Sequence, residues 1–145
     1  MTELTEFTEL EGKEYDLAGE VIGAAMKVHR VLGHGFLEAV YLNALAHELL
    51  TCGHAIRTQV PLEVRYDDVV VGNYVADLMI GDALIIEIKA VQALAKAHEA
   101  QLVNYLTATR IDVGLLLNFG AASLEFRRKA RIYSPPNSVN SVNSV

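Results

Sequence analysis

The spacing of apolar residues changes twice along this chain, and those changes confine it to a mixed α/β fold. Leu17, Val21, Ala24, Val28 and Leu32 recur at intervals of three and four, which makes an amphipathic helix that Gly33 and Gly35 terminate. A second helix follows, with Leu37, Tyr41, Ala44 or Leu45, and Leu49 on its apolar face and Gly53 in the place of a C-terminal cap. Beyond Gly53 the period falls to two, and β-branched and aromatic residues mark three strands over about 55–66, 69–80 and 83–90. Asp67-Asp68 and Gly81-Asp82 supply the turns between them, so a meander is the simplest topology. Helical spacing returns over 92–109, where Ala93, Leu94, Ala97 and Ala100 are good helix formers, and two further strands follow over 112–118 and 123–133. A helix that links one strand to a parallel neighbour predicts a mixed central sheet flanked by helices.

The length of 145 residues, 52% of them hydrophobic, suits one domain with a real core, expected over 17–133. No apolar run approaches the roughly 18 to 20 residues that span a membrane, and the N-terminus is acidic instead of basic and then apolar. A cytoplasmic protein is expected. Cys52 is the single cysteine, which excludes an internal disulfide framework and a cysteine-rich zinc cluster and leaves it a role in helix packing. Glu3, Glu6, Glu9, Glu11, Glu14 and Asp16 against Lys13 make residues 1–16 an expected acidic, flexible lead-in. The tail over 134–145, with Pro135-Pro136 and repeated Asn-Ser-Val, is of low complexity and expected to be disordered.

Charge permits contact with nucleic acid without arguing for it. The net charge is −6, but the lead-in carries −5 of it, and Arg127, Arg128, Lys129 and Arg131 cluster near the end of the domain.

The chemistry is concentrated in the third strand. In Leu84-Ile85-Ile86-Glu87-Ile88-Lys89-Ala90 two charged residues interrupt an apolar run, and at a spacing of two Glu87 and Lys89 project from the same face. That pairing is either a same-strand ion pair on a solvated face or a carboxylate and a cation placed for metal-assisted phosphodiester cleavage, which needs both. Asp77 repeats the pattern on the preceding strand, one acid among apolar neighbours, where an unpaired buried carboxylate would be expensive. Register decides whether the acids meet. A three-residue loop at Gly81-Asp82-Ala83 sets Asp77 across from Glu87, whereas an even loop puts them on opposite faces, and the odd register is expected.

Asp77, a gap and then Glu87-x-Lys89 resembles the PD-(D/E)XK signature, with Ala76 in the place of its proline. Gln101-x-x-x-Tyr105 resembles the QxxxY motif of RecB-like nucleases, and Gly35-x-x-Glu38-x-x-Tyr41 is similar to the motif that names the GxxExxY proteins. The GxxExxY resemblance covers most of 17–132, including Tyr74-x-Ala76-Asp77-Leu78, Glu87-Ile88-Lys89-Ala90, His98-x-Ala100-Gln101 and Gly114-Leu115-Leu116-Leu117-Asn118-Phe119-Gly120.

The resemblance implies an αβββαβ restriction-endonuclease-like core and a nuclease fold. By that resemblance Asp77, Glu87 and the main-chain carbonyl of Ile88 would hold Mg²⁺, or Mn²⁺ in its place, with Glu38 completing or extending the shell through water. Lys89 would position or activate the attacking water, and Gln101 would orient Lys89 or a phosphate.

Glu38 in the first turn of a helix also has a plain role in complementing the helix dipole, and Tyr41 a plain role in packing. Leu94, His98, Gln101 and Tyr105 are spaced as one helical stripe, which would wall a polar pocket; Tyr105 would fix the helix against the sheet and His98 could serve as an extra acid or base. His29, His34, His47 and His54 lack metal-ligand spacing.

Three functions follow. The first is a metal-dependent nuclease, on DNA in preference to RNA and with single strands or ends as substrates needing few phosphate contacts. The second is a catalytically silent nuclease-fold module that binds nucleic acid or nucleotide. The third is a structural assembly protein. A homodimer or protein partner is expected to supply substrate recognition, because no groove-reading element is visible.

Overall fold

The computed structural model describes the backbone over 2–132 and the side chains over 17–132. Three helices and five strands follow in the order α1 (Thr2–Leu32), α2 (Glu38–Thr51), β1 (Ile56–Tyr66), β2 (Val69–Ile80), β3 (Leu84–Lys89), α3 (Lys96–Thr109), β4 (Val113–Asn118) and β5 (Glu125–Ala130). The strands form one sheet in sequence order, antiparallel except for the parallel β3–β4 pair that α3 connects. This is the mixed, helix-flanked sheet that the change of period predicts.

Two boundaries differ from the sequence reading. The α1 backbone begins at Thr2, so the segment expected as a flexible lead-in continues the helix. α3 begins at Lys96, not at 92, and Leu94 lies before the helix instead of in its stripe. The tail over 134–145 lies outside the described residues.

The turns explain themselves locally. α2 ends in a Schellman arrangement: Gly53 takes φ 88°, its N–H donates to the Leu50 carbonyl at 3.0 Å, and the His54 N–H donates to that of Leu49 at 3.0 Å. Cys52, expected in helix packing, is exposed at this cap. Asp67 and Asp68, with φ 49° and 62°, make the left-handed two-residue turn that joins twisted antiparallel strands.

The sheet separates two apolar cores. α1 and α2 cover one face, where Val21, Ala25, Leu45 and Leu49 pack on Leu78, Ile86, Ile88, Leu115 and Leu117. α3 covers part of the other, where Leu102 and Leu106 pack on Met79, Ile85 and Leu116. Gly114 admits α3 closely, since a Cβ there would meet Leu102 at 3.0 Å.

The loop between α1 and α2 is held by Tyr41. Its fully buried hydroxyl donates to the Gly33 carbonyl at 2.7 Å and accepts the Phe36 N–H at 3.2 Å, while its ring stacks on Phe119 at 4.6 Å. Gly35, at φ 112°, turns the chain so that α2 can start at Glu38. The Gly35-x-x-Glu38-x-x-Tyr41 spacing is therefore a loop, a helix start and the residue that ties the two together.

Candidate active site

The expected three-residue loop joins β2 to β3. Ile80 pairs with Leu84, Met79 with Ile85 and Leu78 with Ile86, so the same register carried one step further sets Asp77 opposite Glu87. The recorded ladder ends at Leu78–Ile86, and from there β2 keeps β1 as its partner while β3 keeps β4. The acids stand where the two strands part.

Side chain and main chain cross that fork in both directions. Asp77 Oδ2 accepts the Ile88 N–H at 2.8 Å, and the Asp77 N–H meets the Glu87 carboxylate. Burial raises the Asp77 pKa, opposed by the Ile88 N–H and by the charge of Lys89. Glu87 is pushed from 4.5 up to about 7, again chiefly by burial; Lys89 and the Asp77 N–H oppose the shift, and the Glu38 charge adds to it. Lys89 thus acts on both carboxylates, and Glu38 reaches the site from the first turn of α2. Glu87 Oε1 is buried with no hydrogen-bond partner. An orphaned carboxylate oxygen of this kind calls for a proton or a cation.

Beside the fork lies a cleft of about 260 Å³ walled by Glu38, Ala39, Leu42, Gln59, Asp77 and Ile88. Gln59 was not picked out from the sequence, where it is one more polar residue on an exposed strand. It faces Asp77 between the Thr58–Leu78 and Val60–Ala76 pairs and has φ 51°. The strands twist here: Ala76 packs in the α3 core, whereas Leu78, two residues on, packs in the α1–α2 core. Strict alternation would have kept the two on one face.

No residue of α3 is among those that wall this cleft. Tyr105 stacks on Tyr74 with ring centroids 3.7 Å apart, which pins α3 to β2 as expected of a packing residue. Gln101 is exposed and makes no hydrogen bond to Lys89. His98 Nδ1 accepts the Ala95 N–H at 3.0 Å, so its ring closes the start of α3.

A second unforeseen group fixes the exit of β3. Asn118, fully buried and beside Lys89 in the parallel register, accepts from the Val91 and Gly120 N–H groups at 2.9 and 3.0 Å and donates to the Val91 carbonyl at 2.9 Å and Glu125 Oε1 at 2.8 Å. Glu125 also accepts the Leu94 N–H at 3.2 Å, and the Lys89 carbonyl accepts the Phe119 N–H at 2.9 Å. A Cβ on Gly120 would lie 2.3 Å from the Val91 carbonyl oxygen, which leaves glycine as the residue that fits. The signal in the sequence was one polar residue at the end of Leu115-Leu116-Leu117-Asn118, and a glycine two places on.

The basic residues near the C-terminus are engaged in ion pairs. Lys129 meets Glu99 at 2.6 Å with Arg127 at 3.9 Å, which holds the Glu99 carboxyl below its usual range, and Arg131 meets Asp112 at 2.7 Å.

The donor set suits a hard divalent cation: two carboxylates across a fork, one with an unpartnered buried oxygen, and main chain between them. Asp77 and Glu87 are the side chains that would hold it, and the ion would supply charge neutralisation and polarisation of a phosphate. No group of three His, Cys, Asp or Glu side chains gathers as a metal-binding set among the described residues.

The comparisons agree with the fold. The chain is similar in fold to the crystal structure of SSO0001, with a TM-score of 0.54 and 18% identity over 74% of this chain, and it spans 56% of that longer chain. No match was found among curated proteins. Among the described residues, no helix is long and apolar enough to cross a membrane. The family model of the PD-(D/E)XK nuclease superfamily matches residues 15–129, which take in α2, the whole sheet up to Lys129 and every acid of the fork. The chain belongs to the PD-(D/E)XK nuclease superfamily.

Proposed function

We propose that the protein is a metal-dependent nuclease that hydrolyses phosphodiester bonds at the fork between β2 and β3. The observation that carries this reading is the buried, unpartnered Glu87 Oε1 opposite Asp77, with Lys89 acting on both carboxylates. Asp77 and Glu87 hold Mg²⁺ or Mn²⁺ together with the Ile88 carbonyl. Lys89 positions the attacking water and offsets the charge that develops on the phosphate. Glu38 completes or extends the shell through water, from its place in the lining of the same cleft. Gln101 keeps only a role toward incoming substrate, since its amide is free of Lys89.

The finer reading is of a cytoplasmic enzyme that acts on DNA in preference to RNA. The engagement of Arg127, Lys129 and Arg131 in ion pairs favours single strands or ends over long duplexes, because few cations remain for phosphate contacts. A second copy or another protein then supplies recognition.

A titration with Mg²⁺ and Mn²⁺, followed by a panel of labelled single- and double-stranded DNA and RNA, tests the reading. Metal binding lost in Asp77→Ala, with cleavage of at least one substrate, supports a nuclease. Binding without cleavage supports a silent binding module, and indifference to the metal supports an assembly protein.

A further inference from the structure

We propose that Gln59 is a substrate-contacting residue of this site, its side-chain amide donating a hydrogen bond to a non-bridging oxygen of the phosphodiester held in the cleft. The inference rests on the nuclease reading above and adds to it a residue from β1. Three observations converge on Gln59.

First, its backbone adopts φ 51° inside an otherwise regular ladder, between the Thr58–Leu78 and Val60–Ala76 pairs. A residue with a Cβ adopts that conformation at an energetic cost, and such costs gather at functional sites. Second, the distortion lies directly across from Asp77, at the point where the strands exchange faces between Ala76 and Leu78. Gln59 thereby becomes a wall of the cleft that Glu38, Asp77 and Ile88 share. Third, the side chain is exposed and its amide has no hydrogen-bond partner among the described residues, so the polar group is open to a ligand.

The chemistry suits a phosphate. Glu38 and Asp77 make the cleft negative, and a phosphodiester can approach only if cations and donors outweigh them. A neutral amide supplies a directed N–H without competing with a metal ion for the carboxylates, as a lysine or arginine would.

Glycine at position 59 separates the amide from the backbone, because it takes φ 51° without strain. Gln59→Gly is expected to hold or raise the melting temperature. Its kcat/KM for metal-dependent cleavage of a fluorescein-labelled single-stranded oligodeoxynucleotide should fall roughly tenfold to a hundredfold, the size of a lost hydrogen bond to a charged oxygen. Gln59→Glu, of the same shape but charged, should lose at least as much, and Gln59→Asn, which tolerates the left-handed region and keeps the amide, should recover part of the loss. In a Lys89→Ala background, where the oligonucleotide stays intact, fluorescence anisotropy with Mn²⁺ should show weaker binding by Gln59→Gly.

Cleavage and binding by Gln59→Gly within twofold of the parent would overturn the proposal while leaving the nuclease reading in place. In that case the left-handed residue serves only to twist β1. A wild-type protein that neither binds nor cuts any of the labelled single- and double-stranded DNA and RNA substrates overturns the nuclease reading, and this inference falls with it.

Discussion

Asp77 and Glu87 face one another across the place where β2 and β3 part, the Asp77 carboxylate taking the Ile88 N–H from the opposite strand at 2.8 Å and the Asp77 N–H drawing the Glu87 pKa down. Neither acid is satisfied by the other. Both are raised by burial, and one oxygen of Glu87 has no partner. The fork therefore holds negative charge that the fold itself does not neutralise, the condition in which removing a functional group leaves stability intact or improves it.

The first prediction concerns stability against pH. Glu87 titrates near 7 in the folded chain and near 4.5 when unfolded, so between those values the folded state holds the extra proton. Stability from this group is full below about 4.5, falls as pH rises to about 7, and is flat beyond; Asp77, also raised, acts in the same direction. Glu87→Gln removes that loss. Denaturant unfolding without metal should find the variant more stable than wild type at pH 8, by on the order of 3 kcal/mol at most, with the difference shrinking toward pH 5.

Metal affinity should run the other way. A divalent ion displaces the proton of Glu87, so calorimetric affinity for Mn²⁺ should climb as pH rises toward about 7 and level off above it. Glu87→Gln should flatten that dependence and weaken binding throughout.

The chain after Lys89 depends on Asn118. Asn118→Ala strands the Val91 N–H and carbonyl, the Gly120 N–H and one acceptor of Glu125, and should destabilise by about 3 kcal/mol or more in chemical denaturation. Gly120→Ala should be at least as damaging, because its Cβ meets backbone and not a side chain that can swing away.

Tyr41→Phe keeps the stack on Phe119 and removes the bonds to Gly33 and Phe36, leaving the Gly33 carbonyl without its hydroxyl donor. A loss of about 1 to 2 kcal/mol is expected, read as a lower denaturation midpoint. Substrate cleavage per folded molecule should fall as well, because Glu38 is carried by the helix start that this loop sets.

Much of the fold was legible because it is local. The change of apolar period located the helices and strands, and the three-residue loop after Ile80 set the register that brings Asp77 to Glu87. What escaped the sequence is tertiary. α3 starts at Lys96 because Asn118, Glu125 and Gly120 hold the preceding residues in an irregular path, and good helix formers at Ala93 and Leu94 cannot override that. Gln59 has no periodic signature; only its backbone angle and its place opposite Asp77 set it apart. Gln101 was legible as a motif but not as a contact, since a spacing on a helix does not say how far the side chain reaches.

Metal-dependent cleavage by wild type and Lys89→Ala, compared side by side on the same labelled oligonucleotides, tests the central claim most directly. The account predicts cleavage with Mg²⁺ or Mn²⁺ that chelation abolishes and that Lys89→Ala reduces at least about a hundredfold, with the melting temperature near or above that of wild type. Full cleavage by a folded Lys89→Ala protein would contradict it.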